Sequence, residues 1–203
     1  MFIPHLGRTI GAFLASAFLL YASSVSARGV RSGFTTNGGT LAANDDGSTG
    51  VVPFGFTIDM FGTNYSGCYV NNNGNITFDA ALSTFVPTDI SALGVKIIAP
   101  YWTDVDTRGV GSGLVSYGQG TVGGRPAWAA TWDHVGYFNQ GVDKLNTYQV
   151  VIIERSDVAV GAFDIEFNYD SIQYDFTSNA YARAGFTNGS TVSYELPGSG
   201  IPG

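Results

Sequence analysis

Two carboxylates stand two residues apart in Ile98-Ala99-Pro100-Tyr101-Trp102-Thr103-Asp104-Val105-Asp106-Thr107-Arg108-Gly109, directly after a Tyr-Trp pair. Three chemistries fit that spacing. On an extended strand Asp104 and Asp106 share a face, with Cα atoms roughly 7 Å apart. That lies within the roughly 5–9.5 Å that separates glycosidase carboxyls. A catalytic pair, however, needs unlike surroundings to split its pKa values, and neighbouring positions on one strand face resist this. Calcium is the second reading. It takes six to eight oxygens, of which Asp104 and Asp106 supply two carboxylates, with Asp45-Asp46 as the other close acid pair. The third reading is structural: Asp106-Thr107-Arg108-Gly109 is a polar turn whose Asp accepts backbone N–H groups and whose Arg is the counter-charge. A lone D-x-D motif has little specificity, so the turn is preferred to calcium, and calcium to catalysis.

The remaining reactive groups suggest little chemistry. Asp133 precedes His134, but strand neighbours face opposite ways, so Asp133 is poorly placed to orient the imidazole. The other histidine, His5, lies in an N-terminal apolar leader. The chain has no G-x-S-x-G elbow, H-E-x-x-H, P-loop or Cys/His zinc cluster. Cys68 is the single cysteine and cannot form an internal bridge, so a buried, inert thiol is expected. Tyr101, Trp102, Trp128, Trp132 and Tyr137 suit either a sugar-stacking platform or a core. Their place inside strand-like runs favours the core. Asn64, Asn75 and Asn188 begin N-x-S/T sequons, which matter only where the host glycosylates.

These residues must be held by strands. With 203 residues and 44% apolar content, one domain with a sizeable core is expected. Charged residues make up only 12%, and the net charge of −7 would repel a polyanion, so nucleic acid is not an expected partner. Arg8, the apolar run from Ile10 to Tyr21 and Val25-Ser26-Ala27 read as a signal peptide over residues 1–27, leaving no membrane span after cleavage. Residues 28–50 are polar and Gly-rich, and are expected to form a flexible N-terminal segment ending in the turn cluster Asn44 to Gly50.

From Val51 onward strand signals dominate. Phe54, Phe56, Ile58 and Met60 alternate with smaller or polar residues. Tyr69 to Phe78 reads as strand, turn, strand, with its Asn residues and Gly74 able to supply positive φ. Val95 to Tyr101 suits a central strand, with Pro100 marking an edge or bulge near its end. Ala127 to Tyr137, carrying Trp128 and Trp132 on one face, and Thr147 to Glu154 continue the pattern. Phe163, Ile165, Phe167 and Tyr169 alternate with polar residues and are expected on a buried face. Asn188-Gly189-Ser190 punctuates a hairpin, and Thr88 to Leu93 could hold a short helical turn. The expected fold is all-β: an antiparallel β-sandwich with short loops and at most that helical turn.

Several runs together resemble the nidogen-like (NIDO) extracellular domain family, most closely its secreted bacterial members. They are Val52-Pro53-Phe54-Gly55-Phe56 with Phe61-Gly62, the YVNNNGNITF run Tyr69 to Phe78, Ile98 to Arg108 and Trp132 to Tyr137. Asn146 to Val151, Phe167-Asn168-Tyr169, Ala184-Gly185-Phe186 and Leu196 to Ser199 follow in the same order. The resemblance implies a nidogen-like β domain over residues 51–203, either a fragment shortened at the C-terminus or a minimal member, since larger relatives continue beyond the Leu196 to Ser199 run. It implies a secreted, non-enzymatic binding or adhesion module of the cell–matrix type. Partners would be extracellular matrix or cell-surface proteins or glycans, and no catalytic residue transfers from the family. On this reading Asp104 and Asp106 belong to a family structural signature, as turn groups or calcium ligands. The alternative is a carbohydrate-active β-sandwich enzyme using Asp104 or Asp106, whose pair should line a concave cleft.

Overall fold

Alternating apolar side chains joined by Gly- and Asn-rich turns build an antiparallel sandwich. A computed structural model describes residues 29–202. The signal-peptide segment lies outside the described residues. The strands are β1 (Thr36–Thr40), β2 (Ser48–Asp59), β3 (Asn64–Asn71), β4 (Asn75–Thr77), β5 (Lys96–Trp102), β6 (Val115–Val122) and β7 (Arg125–Tyr137). They continue with β8 (Gly141–Glu154), β9 (Phe163–Ser171), β10 (Phe176–Thr177), β11 (Ala180–Tyr181), β12 (Arg183–Asn188) and β13 (Ser193–Glu195). One sheet runs β1-β6-β7-β8-β9, the other β13-β12-β5-β4-β3-β2, and β10-β11 form a small ribbon. The expected all-β class and sandwich architecture are both present.

The core follows the period of two. Val52, Phe54 and Ile58 of β2 and Met60 just after it, with Val70, Ile76 and Ile98, meet Trp128, Trp132, Tyr148, Val150 and Ile152 of the facing sheet. Phe54 sets its ring edge-on to Trp128 at 5.2 Å and 76°, and Trp132 stacks on Tyr148 at 5.3 Å and 13°. Each such large side chain stabilises the fold by about 1.5–3 kcal/mol on burial. Parts of the outer faces are also covered. Trp102 turns away from the main core to join Ile90, Ile97 and Ala99, and its Nε1 donates to the Thr84 carbonyl at 3.0 Å. A short 3-10 turn, Ile90–Ala92, capped by Asp89, stands where a helical turn was expected. Pro100 sits beside the register shift between β5 and β12, as its missing donor requires.

Two expectations change. The segment 28–50, expected to be flexible, carries β1, which pairs with β6, and the start of β2. Ahead of β1, Phe34 packs on Ala127, Ala129, Val151 and Ile153, and Arg31 donates to Glu166. Its Gly and Thr content reads as a loose linker, yet small residues are what let it lie close to β6: Gly38 and Gly118 each sit against backbone of the other segment. On β9, Phe163, Ile165 and Phe167 face the core as expected but are only half-buried, and Tyr169 remains 38% exposed. β9 is the last strand of its sheet, with a neighbour on one side only, so its inward face is covered incompletely.

Candidate functional site

At one end of the sandwich four segments meet: the β1–β2 loop, the β3–β4 turn, the chain leaving β5 and the turn of the β10–β11 ribbon. Gly74 makes the β3–β4 turn possible. It takes φ +81°, whereas the neighbouring asparagines, expected to share that role, do not. Their amides are instead buried and bind the loops together. Asn72 Nδ2 donates to the carbonyls of Asp45 and Val105 at 2.5 and 2.6 Å, and Asn72 O accepts from Trp132 Nε1 at 2.9 Å. Asn73 Oδ1 accepts from the Val105 N–H at 3.0 Å while its Nδ2 donates to Asp46 Oδ1 at 2.9 Å. Asn71 Nδ2 donates to Asn75 Oδ1 and Thr77 Oγ1.

Asp104 and Asp106 are not on a regular strand. β5 ends at Trp102, and Val105 then forms an isolated bridge to Tyr137. The two acids have different partners. Asp106 Oδ1 accepts from the Arg108 N–H and Nε at 3.0 and 2.9 Å. Its Oδ2 accepts from Arg108 Nη2 at 2.7 Å and from the Gln140 N–H at 3.0 Å. Burial pushes the Asp106 carboxyl up, but these donors and the Arg108 charge outweigh it and hold it below the usual carboxylate range. This is the turn role expected of Asp106, with Arg108 as counter-charge. Asp106→Ala is expected to cost about 1–2 kcal/mol: the donors it strands are charged or buried, but Arg108 is exposed enough to rehydrate. Equilibrium denaturation of the variant checks this; an unchanged midpoint would show that the anchor is dispensable.

Asp104 is 2% exposed and sits in a different environment. Its Oδ2 accepts from Ser178 Oγ, and its backbone N–H donates to Thr177 Oγ1 at 3.3 Å. Ser178 and Asn179, at φ +46° and +63°, form the tight turn that presents this hydroxyl. Asp104 Oδ1 is buried without a hydrogen-bond partner, and so is Asp45 Oδ1. One carboxylate oxygen each from Asp45, Asp46 and Asp104 lies within 4.8 Å of the other two. Burial pushes the Asp104 carboxyl up to about 6; the Ser178 hydroxyl opposes this, and Asp45, Asp46 and Asp106 add to it. Asp45 is also raised, by burial and then by Asp106 and Asp46, against the pull of Arg108. The cluster therefore joins Asp104 with the Asp45-Asp46 pair, while Asp106 stands beside it as an anchor. Ser178 and the buried asparagines were not singled out in the sequence, where a run of Asn before Gly is indistinguishable from an ordinary turn.

The other reactive residues have structural surroundings. His134 Nδ1 lies 2.8 Å from Asp133 Oδ1, contrary to the strand-neighbour argument. The reason is a bulge: the register slips between Trp132 and Val135, and His134 takes φ +54°, which turns both side chains the same way. Trp102, Trp128 and Trp132 are fully buried and form no exposed platform. Cys68 is buried and free, and burial pushes its thiol well up, away from the reactive thiolate. Asn75 is wholly buried, so its sequon is inaccessible in the folded domain.

Comparison with known proteins adds a family. A family model described as NIDO related matches residues 26–200. Alpha-tectorin of Mus musculus is 26% identical over 191 residues, covering 78% of this chain and 9% of that protein. Alpha-tectorin of Gallus gallus is 28% identical over 194 residues, covering 78% of this chain and 9% of its own length. Nidogen of Drosophila melanogaster is 29% identical over 135 residues, 56% of this chain and 10% of that protein. The chain thus spans a tenth or less of the length of these relatives. No solved structure gives a significant match.

Proposed function

We propose, because the chain belongs to the NIDO-related family, that it is a secreted, non-enzymatic adhesion module that binds an extracellular matrix or cell-surface protein or glycan. The observation that carries this reading is the family match across nearly all of the described residues, joined to relatives that are extracellular matrix proteins. Among the described residues no helix is long and apolar enough to cross a membrane. The surroundings of the two acids support a binding role over catalysis. A glycosidase pair must face an open cleft that admits a sugar ring. Asp104 and Asp106 are instead at most 2% exposed, and both oxygens of Asp106 are engaged by Arg108 and the Gln140 N–H. The cleft lined by Tyr101, Tyr169, Tyr174, Arg183 and Leu196 contains neither acid.

The test is an array of immobilised matrix proteins and glycans probed with the purified chain, run beside a reducing-sugar assay on the same glycans. Saturable binding without product release is the expected result. Release of sugar by the wild type, lost in a folded Asp104→Asn variant, would replace the adhesion reading with the carbohydrate-active one.

A further inference from the structure

We propose that Asp45, Asp46 and Asp104 form a calcium site, built from the β1–β2 loop and the chain that leaves β5. This goes beyond the adhesion reading and stands whether or not a matrix partner is found. The ligand set differs from the pair that sequence spacing suggests: Asp104 keeps its place, and Asp45 and Asp46 take that of Asp106.

Geometry and unmet hydrogen bonding carry the proposal. Asp45 and Asp104 each have one oxygen tethered and the other unpartnered. Asp45 Oδ2 accepts from Arg108 Nη2 at 2.7 Å and Asp104 Oδ2 from Ser178 Oγ, while both Oδ1 atoms are buried with no donor. Asp46 is fixed through Oδ1 by the Asn73 amide at 2.9 Å. A buried carboxylate oxygen without a partner is costly, and two of them on acids of one cluster call for a cation. Asp104 supplies the decisive observation: it is only 2% exposed, its Oδ1 has no partner, and one of its carboxylate oxygens lies within 4.8 Å of those of Asp45 and Asp46. The tethers act as outer supports that orient each ligand before an ion arrives.

The chemistry selects the ion. The ligands are all hard carboxylate oxygens, with no histidine or cysteine in the group, which disfavours zinc and copper. The three oxygens lie within 4.8 Å of one another, close enough to be drawn onto one ion, and calcium's flexible shell of six to eight oxygens at about 2.3–2.6 Å tolerates irregular spacing. Magnesium's stricter octahedron and its reluctance to shed water make it the weaker candidate for carboxylates fixed by loop tethers. Asp106 has no free oxygen to offer, since each of its carboxylate oxygens already accepts two hydrogen bonds.

The full chain, stripped with a chelator, should be titrated with calcium chloride and, separately, magnesium chloride at constant ionic strength. Thermal unfolding and calorimetric binding are the two readouts. One calcium per chain and a rise of several degrees in Tm are expected, with a smaller response to magnesium, because an ion that binds only the folded state stabilises it by mass action. Asp104→Asn and Asp46→Asn should each weaken calcium binding at least tenfold and abolish the rise. Asp106→Asn should start from a lower Tm and still rise. Should Asp104→Asn fail to fold, Asp46→Asn, on the partly exposed loop, decides the matter alone. No rise in the wild type, or a rise that persists in Asp46→Asn, overturns the site. A rise lost in Asp106→Asn but kept in the other two would return the metal to the pair suggested by sequence spacing.

Discussion

Gly74→Ala is expected to remove more than about 4 kcal/mol of stability, enough to leave many domains unfolded. Two costs combine. Gly74 sits at φ +81°, where an L side chain is strained by about 1–2 kcal/mol. An ideal Cβ there would also stand 1.9 Å from the Tyr101 carbonyl oxygen and 2.7 Å from the Tyr148 hydroxyl. The carbonyl belongs to β5 and cannot swing aside as a flexible side chain could. Relief would require moving the β3–β4 turn, and with it the bonds from the Tyr101 N–H to Gly74 O and from the Thr103 N–H to Asn73 O. Gly62→Ala is the built-in control. Gly62 has a similar φ of +86° but open space where the Cβ would go, so only the strain of about 1–2 kcal/mol should be lost. Urea denaturation of both variants separates clash from strain. Equal losses in the two would mean that the turn does not press on β5.

Much of this fold is legible in the sequence because strands report themselves by period. The alternation of β2, the paired Trp128 and Trp132 of β7 and the β-branched run of β8 each depend only on neighbours along the chain. The buried faces follow directly from that pattern. The strand β1 was not legible, since its Gly-rich residues gain their place from backbone approach to β6 rather than from any apolar stripe. The partial exposure of β9 was hidden for a related reason, because alternation tells which face turns inward but not whether the opposite sheet extends over it. The candidate site was half legible. D-x-D spacing drew attention to Asp104 and Asp106, and the Arg108 turn fixed Asp106 correctly. Pairing Asp104 with Asp45 and Asp46 depends on a contact across about sixty residues, set by the buried amides of Asn72 and Asn73. Those asparagines read as turn formers because a turn and a buried cross-brace call for the same residue type.

Asn72→Ala should accordingly cost about 2–4 kcal/mol and loosen the acid cluster as well. Its side-chain amide is the one group that donates to both the Asp45 carbonyl and the Val105 carbonyl, and Val105 is wholly buried. Deleting it strands the Val105 acceptor away from water, a penalty of about 1–3 kcal/mol, and loses the bond to Asp45 besides. The main-chain bonds made nearby remain possible: the Asn72 N–H donates to Gly47 O and the Thr107 N–H to Asn44 O. The domain should therefore fold while its β1–β2 loop opens more often. Hydrogen exchange reads this directly, with faster exchange expected at the Asn72 and Thr107 amides and little change at Val150 or Ile152 in the centre of β8. Asn72→Asp should be at least as harmful, since it removes the donors and adds a negative charge beside Asp45. A loss below about 0.5 kcal/mol in Asn72→Ala, the usual range for an inconsequential surface change, would show that the amide is a bystander. The coupling of the Asp45-Asp46 loop to Asp104 would then need another cause.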